Sequence, residues 1–216
     1  PLPCDGDAAA ILTCVRARED AIHSLRARFR AVTRGAGANH TTHGVLLVDK
    51  PQRFRLRLML PLGLTVFDYT KDGDRQSVSL PLRGSGAGPA DPFPFSEIDL
   101  AEVFLRGEKA FPGSCIPDGG GRGEVRVRCS DGAGRWRREI QLDASRGVIS
   151  SETSFSGESP RLTVTYDDYR TTAGTVLPYR ISVMYPGRGI GLEIEIDRYD
   201  VNPHLSPALF VPDGKE

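Results

Sequence analysis

The amino-acid sequence predicts an α+β, mainly β protein, in which a strongly curled antiparallel sheet forms an incomplete β-barrel covered by a long N-terminal helix and a short middle helix. Three observations predict this class. Apolar and charged residues alternate at period two over most of the chain, as in Arg53 to Leu60, where Phe54, Leu56, Leu58 and Leu60 share one face and Arg53, Arg55 and Arg57 the other. Short turn signals such as Lys71-Asp72-Gly73-Asp74 and Thr172-Ala173-Gly174-Thr175 join successive runs as hairpins, giving a meander. A meander of roughly ten strands accumulates twist, so it curls and leaves a concave apolar face.

The elements follow in order within one domain spanning 1–216. Ile11, Val15, Ile22, Leu25, Phe29 and Val32 fall at three-and-four spacing and predict an amphipathic helix over 8–33, capped by Asp5 or Asp7 and ended by Gly35, Gly37 and Asn39. The first strands occupy 41–82 and contribute Val66 to the inner face. A Gly-, Pro- and Ala-rich loop opens the region 84–112 and leads into a short apolar helix with Phe104 and Leu105, stopped by Gly107. The remaining strands fill 124–200, with Trp136, Ile140, Leu162, Val164, Ile181, Val183, Leu192 and Ile194 inward; Arg138 interrupts the apolar row between Trp136 and Ile140. A C-terminal segment covers 201–216. Both helices are expected to cover the open face of the sheet, with Phe104 and Leu105 as a lid.

Composition narrows the function. Lys plus Arg and Asp plus Glu number 28 each, so no excess of positive charge exists to displace counterions from nucleic acid, and no nucleic-acid partner is expected. The apolar run Met59 to Phe67 is broken by Pro61 and Gly63, far short of the roughly 20 apolar residues of a membrane-spanning helix. The chain opens at Pro1 without Met, a basic stretch or an apolar stretch, so a targeting segment is expected to have been removed.

Four cysteines allow three pairings. Cys4 with Cys14 and Cys115 with Cys129 close the shortest loops, the second clipping the Gly-rich turn Asp118 to Gly123 between two strands. The alternative is buried free thiols; disulfides imply an oxidising compartment. No catalytic machinery stands out, and no cofactor or metal is expected. His40 and His43 lack a third ligand, the Asp118 glycine run opens no helix that could hold phosphate, and no Gly-x-Ser-x-Gly elbow is present. Glu193, Glu195 and Asp197 alternate with Leu192, Ile194 and Ile196, which places them on a wet face.

The N-terminal helix, the run Gly44-Val-Leu-Leu-Val-Asp-Lys-Pro-Gln-Arg-Phe-Arg-Leu-Arg-Leu and Pro61-Leu-Gly-Leu-Thr-Val-Phe together resemble the LolA/LolB-like outer-membrane lipoprotein carrier and receptor family. Asp99-Leu-Ala-Glu-Val-Phe-Leu-Arg-Gly resembles the helix before a Gly in the receptor branch, and Val201-Asn-Pro-His-Leu-Ser-Pro-Ala-Leu-Phe-Val-Pro the family's C-terminal ending. The resemblance implies an incomplete barrel closed by helices, with an apolar cavity for the acyl chains of a lipid or lipoprotein. It further implies a periplasmic monomer that associates with the membrane peripherally or through an N-terminal lipid. Pro3 makes Cys4 a poor lipidation site, so an anchoring Cys is expected upstream of Pro1.

Alternation alone fits a packed core; the resemblance turns the same inward residues into a cavity lining. The candidate ligand contacts are Phe54, Leu56, Leu58, Leu60, Val66, Trp136, Ile140, Leu162, Val164, Ile181, Val183, Leu192 and Ile194. The alternative function is a non-catalytic structural or assembly lipoprotein of the cell envelope, with a full core and a surface that binds other envelope proteins.

Overall fold

The computed structural model describes residues 7–35, 40–79, 114–121, 123–130, 136–187 and 189–211. Helix α1 (Ala8–Asp20) leads into strands β1 (Ser24–Arg34), β2 (His40–Asp49), β3 (Arg53–Met59), β4 (Thr65–Asp72) and β5 (Arg75–Ser79). Strands β6 (Ser114–Pro117), β7 (Glu124–Ser130), β8 (Trp136–Asp143), β9 (Val148–Ser156), β10 (Ser159–Thr172), β11 (Thr175–Tyr185) and β12 (Ile190–Val201) follow, and a 3-10 turn spans Pro207–Phe210.

All twelve strands join one antiparallel sheet in the order β5-β4-β3-β2-β1-β12-β11-β10-β9-β8-β7-β6. The chain therefore fans out in two directions from a central seam, where the first strand pairs with the last. The sheet is not closed into a barrel, which agrees with the incomplete barrel read from the alternation. Its concave side carries one continuous core that includes Phe29, Phe54, Leu56, Ile140, Val183 and Ile194, together with Ile11, Leu12 and Val15 of α1.

The long helix expected over 8–33 is corrected. Only Ala8–Asp20 is helical, capped by the Asp7 carboxylate, which accepts from the Ala10 N–H at 2.9 Å. Beyond it the chain is strand β1, with Ala27, Phe29, Ala31 and Thr33 buried and Arg28, Arg30 and Arg34 exposed. Leu25, Phe29 and Val32 fit a helical period, but the small inward residues Ala27 and Ala31 make a period of two as well. Pairing decides between them, because β1 bonds to β2 on one side and to β12 on the other. On the β2 side of β1, Phe29 lies across from Gly44, and a Cβ on Gly44 would fall inside the phenyl ring. The glycine is thus a seat for the ring, which seals the gap that a missing side chain would leave.

The polar strand β9 was not read from the sequence, and the short strand β6 only as the unbounded strand before the Asp118–Gly123 turn. The Cys115–Cys129 disulfide bridges β6 and β7 around the glycine turn, as the spacing indicated. Cys14 is disulfide-bonded too, while Cys4 lies outside the described residues. The expected lid helix with Phe104 and Leu105 also falls outside them.

After β12 the chain turns back as a strap over the convex face. Leu205 and Phe210 pack there on Leu47, joined by Val45 and Leu209. Arg55 anchors the strap by donating to the carbonyls of Leu209 and Val211 at 2.9 and 3.1 Å. The same guanidinium makes a bidentate pair with Asp68 at 2.9 and 2.7 Å, and Arg57 donates to Asp68 at 2.8 Å. At the root of the strap Asn202, held at φ 53°, closes the joint between α1 and β1. Its Oδ1 accepts from the N–H groups of His23 and Ser24, and its Nδ2 donates to the Ala21 carbonyl.

Candidate functional site

The turns β2–β3, β4–β5, β8–β9 and β10–β11 all lie at one end of the curled sheet, and α1 lies across that end. Arg18 of α1 donates to the carbonyls of Arg146 and Gly147 in the β8–β9 turn, at 3.3 and 3.0 Å. On the other side the Lys50 ammonium donates to the Glu19 carbonyl at 2.7 Å, tying the helix C-terminus to the β2–β3 turn. Between the helix end, the β2–β3 turn and the β10–β11 turn a cleft of about 120 Å³ opens into the concave side. Its apolar lining comes from Ile22, Leu25, Leu46, Val48, Phe54 and Ile181, joined by the rings of Tyr166 and Tyr199. Arg18, Glu19, Lys50, Arg53 and Lys71 are its charged residues.

Alternation explains how these groups arrive. In β2 the inward row Leu46, Val48 runs on at the same spacing to Lys50, and in β4 Phe67 and Tyr69 run on to Lys71, which pairs across the ladder with Phe54. Each row is apolar where it faces the core and cationic where it reaches the opening. Arg53 differs, since its guanidinium pairs with Asp49 at 2.7 Å and stacks over Phe210 on the convex side.

Of the thirteen inward residues expected to contact a ligand, Phe54 and Ile181 line this cleft. Leu56, Leu58, Ile140, Leu162, Val164, Val183, Leu192 and Ile194 are buried in the core that floors it. Val66 is half-buried against that core at a bulge between β3 and β4, where Leu58 pairs with Phe67 and Met59 with Thr65. Leu60 is half-buried in the β3–β4 turn, and Trp136 begins β8 with its side chain outside the described residues. Lys50, Lys71 and the tyrosine rings were missed, although the lysines stood in plain sight as row-ending charges.

Arg138, which interrupts the inward row of β8, has its partner in Glu152, directly across from Ile140 in β9. Their side chains, 13% and 7% exposed, form an ion pair at 3.6 Å within the concave face. A desolvated charge persists there because an opposite one faces it. At the end of the sheet remote from α1, the β3–β4 turn presents Leu62 and Leu64 at 90% and 54% exposure. These are two of the most exposed large apolar side chains among the described residues, and they sit side by side on one tip.

No family model matches the chain, and no curated protein matches it. Solved structures do. The chain resembles a LolA superfamily protein from Nitrosomonas europaea at 13% identity and TM-score 0.67, covering 97% of this chain and 99% of that one. It resembles a domain described as an outer membrane lipoprotein-sorting protein from Vibrio parahaemolyticus at 14% identity and TM-score 0.65, with 94% and 97% covered. A DUF1329 family protein from Desulfovibrio piger matches at 11% identity and TM-score 0.72, with 95% and 96% covered. At these identities the likeness concerns the backbone, and it extends over nearly the whole of each chain: the protein has a LolA/LolB-like fold.

Proposed function

We propose that the protein is a periplasmic lipid- or lipoprotein-binding protein that shelters an acyl chain in the apolar cleft beside α1, serving lipoprotein transport or insertion at the outer membrane. The observation that carries this reading is the cleft itself, an apolar opening from one end of the sheet into its concave side. Its fold relatives support the reading, one being described as a lipoprotein-sorting domain. A cavity of about 150 Å³ holds a benzene ring, so the volume here suits a segment of about five carbons of one hydrocarbon chain. Burying that segment is worth about 4 kcal/mol at about 0.8 kcal/mol per methylene, before ordering costs. The tip formed by Leu62 and Leu64 suits contact with the apolar layer of a membrane during delivery. No step in this function needs a catalytic group.

A second reading, a structural or assembly lipoprotein of the envelope, draws on the dense core beneath the cleft, where Leu56, Ile140 and Ile194 are wholly buried. Acyl-probe fluorescence separates the two. Protein purified without detergent should enhance the emission of an anilinonaphthalene or acyl fluorophore, and dodecanoate should displace it. Ile181→Trp, which fills the cleft from its floor, should abolish the enhancement while keeping the fold by circular dichroism. Absence of any probe binding by the wild-type protein would leave only the structural reading.

A further inference from the structure

We infer that the convex face at the seam of β1 and β12 holds an oxyanion of the phosphate class between the guanidinium groups of Arg28 and Arg198, with Arg26 beside them. The register of the ladder carries the inference. Toward the β11–β12 turn the seam is charge-complementary: Arg30 lies opposite Glu195 and pairs with it at 3.5 Å, and Arg34 pairs with Glu193 at 2.7 Å. At an unchanged register the next outward pair along the seam would set Arg28 against Asp197. A bulge between Arg28 and Phe29 intervenes, and Arg28 lies opposite Arg198 instead. Like charges directly across a ladder repel, so this arrangement costs stability unless an anion lies between them.

Core packing accounts for the bulge but not for the arginine. The extra residue turns Tyr199 inward, opposite the wholly buried Ala27, where its hydroxyl donates to the Pro178 carbonyl at 2.8 Å. Any polar residue at 198 would allow that turn. Arg198 donates to Asp200 at 2.9 Å and so engages the acid that lies opposite Arg26. The side chains of Arg26 and Arg28 form no ion pair and no hydrogen bond among the described residues, and Arg28 is exposed, as is the bulged Asp197. Three guanidiniums from two strands thus stand against two carboxylates. On the β2 side the neighbours are apolar and bring no counter-charge: Val45 lies opposite Arg28 and Leu47 opposite Arg26, both packed under the strap. Each guanidinium is a planar fork that grips two oxygens at once, so a pair of them on adjacent strands suits a ligand with three or four oxygens better than a single carboxylate. A bulge that re-aims a side chain in this way is a recurrent device at binding sites.

Thermal unfolding in chloride, acetate and inorganic phosphate at equal ionic strength tests this. Phosphate stabilises proteins in general by its exclusion from their surface, so the readout is the difference in Tm between the wild-type protein and a variant. In chloride Arg28→Met should melt about 1–3 °C above the wild type, because the repulsion is relieved. In phosphate that gap should close or reverse, while acetate should leave it open. Arg34→Met, at the paired end of the seam, should respond to phosphate as the wild type does. Co-sedimentation with phosphatidylglycerol vesicles, against phosphatidylcholine vesicles as the neutral reference, identifies the source of the phosphate. A loss of about fivefold for Arg28→Met on phosphatidylglycerol assigns the site to a lipid headgroup, and unchanged sedimentation beside a phosphate-dependent gap assigns it to a soluble phosphate. A gap of the same size in all three salts overturns the inference, and acetate closing it as fully as phosphate overturns the assignment to the phosphate class. Neither result bears on the acyl-binding reading, which rests on the opposite face.

Discussion

The two faces of the β2–β4 segment use positive charge in opposite ways. On the convex face Arg55 and Arg57 converge on Asp68, and Arg55 also holds the strap carbonyls, so both guanidiniums serve the fold. On the concave face Lys50 and Lys71 end apolar rows at the opening of a cleft, where Glu19 is the one acid among the described residues of the lining. The alternation that places them is the same. What differs is the neighbourhood: one face is covered by the chain's own C-terminal segment, and the other is buried in the core and ends at the cleft beside α1. The arginines of β3 thus lie under the covered face, and the lysines after β2 and within β4 stand at the rim of the cleft.

Removing the shared acid of the convex face should have the largest effect. Asp68→Asn removes the carboxylate that faces Arg55, both side chains being 9% exposed, and should cost about 3–5 kcal/mol, a fall in Tm on the order of 6–20 °C by calorimetry. Gly44→Ala drives a methyl into the Phe29 ring and should cost about 1–3 kcal/mol, with Phe29→Leu partly restoring Tm in the double variant. Arg57→Met, whose side chain is 28% exposed, should lower stability by no more than about 1 kcal/mol in denaturant titration, because Arg55 keeps Asp68 paired. Lys71→Met should shift stability by less than about 0.5 kcal/mol, and a loss as large as that of Asp68→Asn would erase the contrast between the faces. Leu62→Gln with Leu64→Gln should leave Tm unchanged and reduce co-sedimentation with anionic liposomes; undiminished liposome binding would remove the tip from the delivery scheme.

The sequence revealed the strands wherever one face was plainly apolar and the other charged. In β3, Phe54, Leu56 and Leu58 point into the core and Arg55 and Arg57 point away from it, as the alternation required. It misled where small residues face inward: Ala27 and Ala31 carry too little hydrophobicity to distinguish a strand from a helix, so β1 was read as part of α1. It was silent in β9, whose Ser150-Ser151-Glu152-Thr153-Ser154 stretch has no apolar row, since Glu152 is inward by virtue of Arg138 on the neighbouring strand.

The unbroken run Val45-Leu46-Leu47-Val48 held a signal that alternation arguments pass over. Four consecutive apolar residues mark a strand covered on both faces, and the cover is the strap carrying Leu205 and Phe210. Two of the cleft's lining residues were legible. Phe54 and Ile181 follow from periodicity, whereas its opening depends on where α1 crosses the turns, which no local pattern encodes.

The seam between β1 and β12 has a consequence for how the chain attains its structure. Each flank is a run of sequence-neighbouring strands that can zip locally, but the join unites residues such as Phe29 and Ile196, separated by most of the polypeptide. High contact order at the middle of a sheet makes that join slow and late. Shortening the C-terminus past Ile190 would therefore divide the sheet in two, leaving β1 and β11 as facing raw edges ready to pair with other chains.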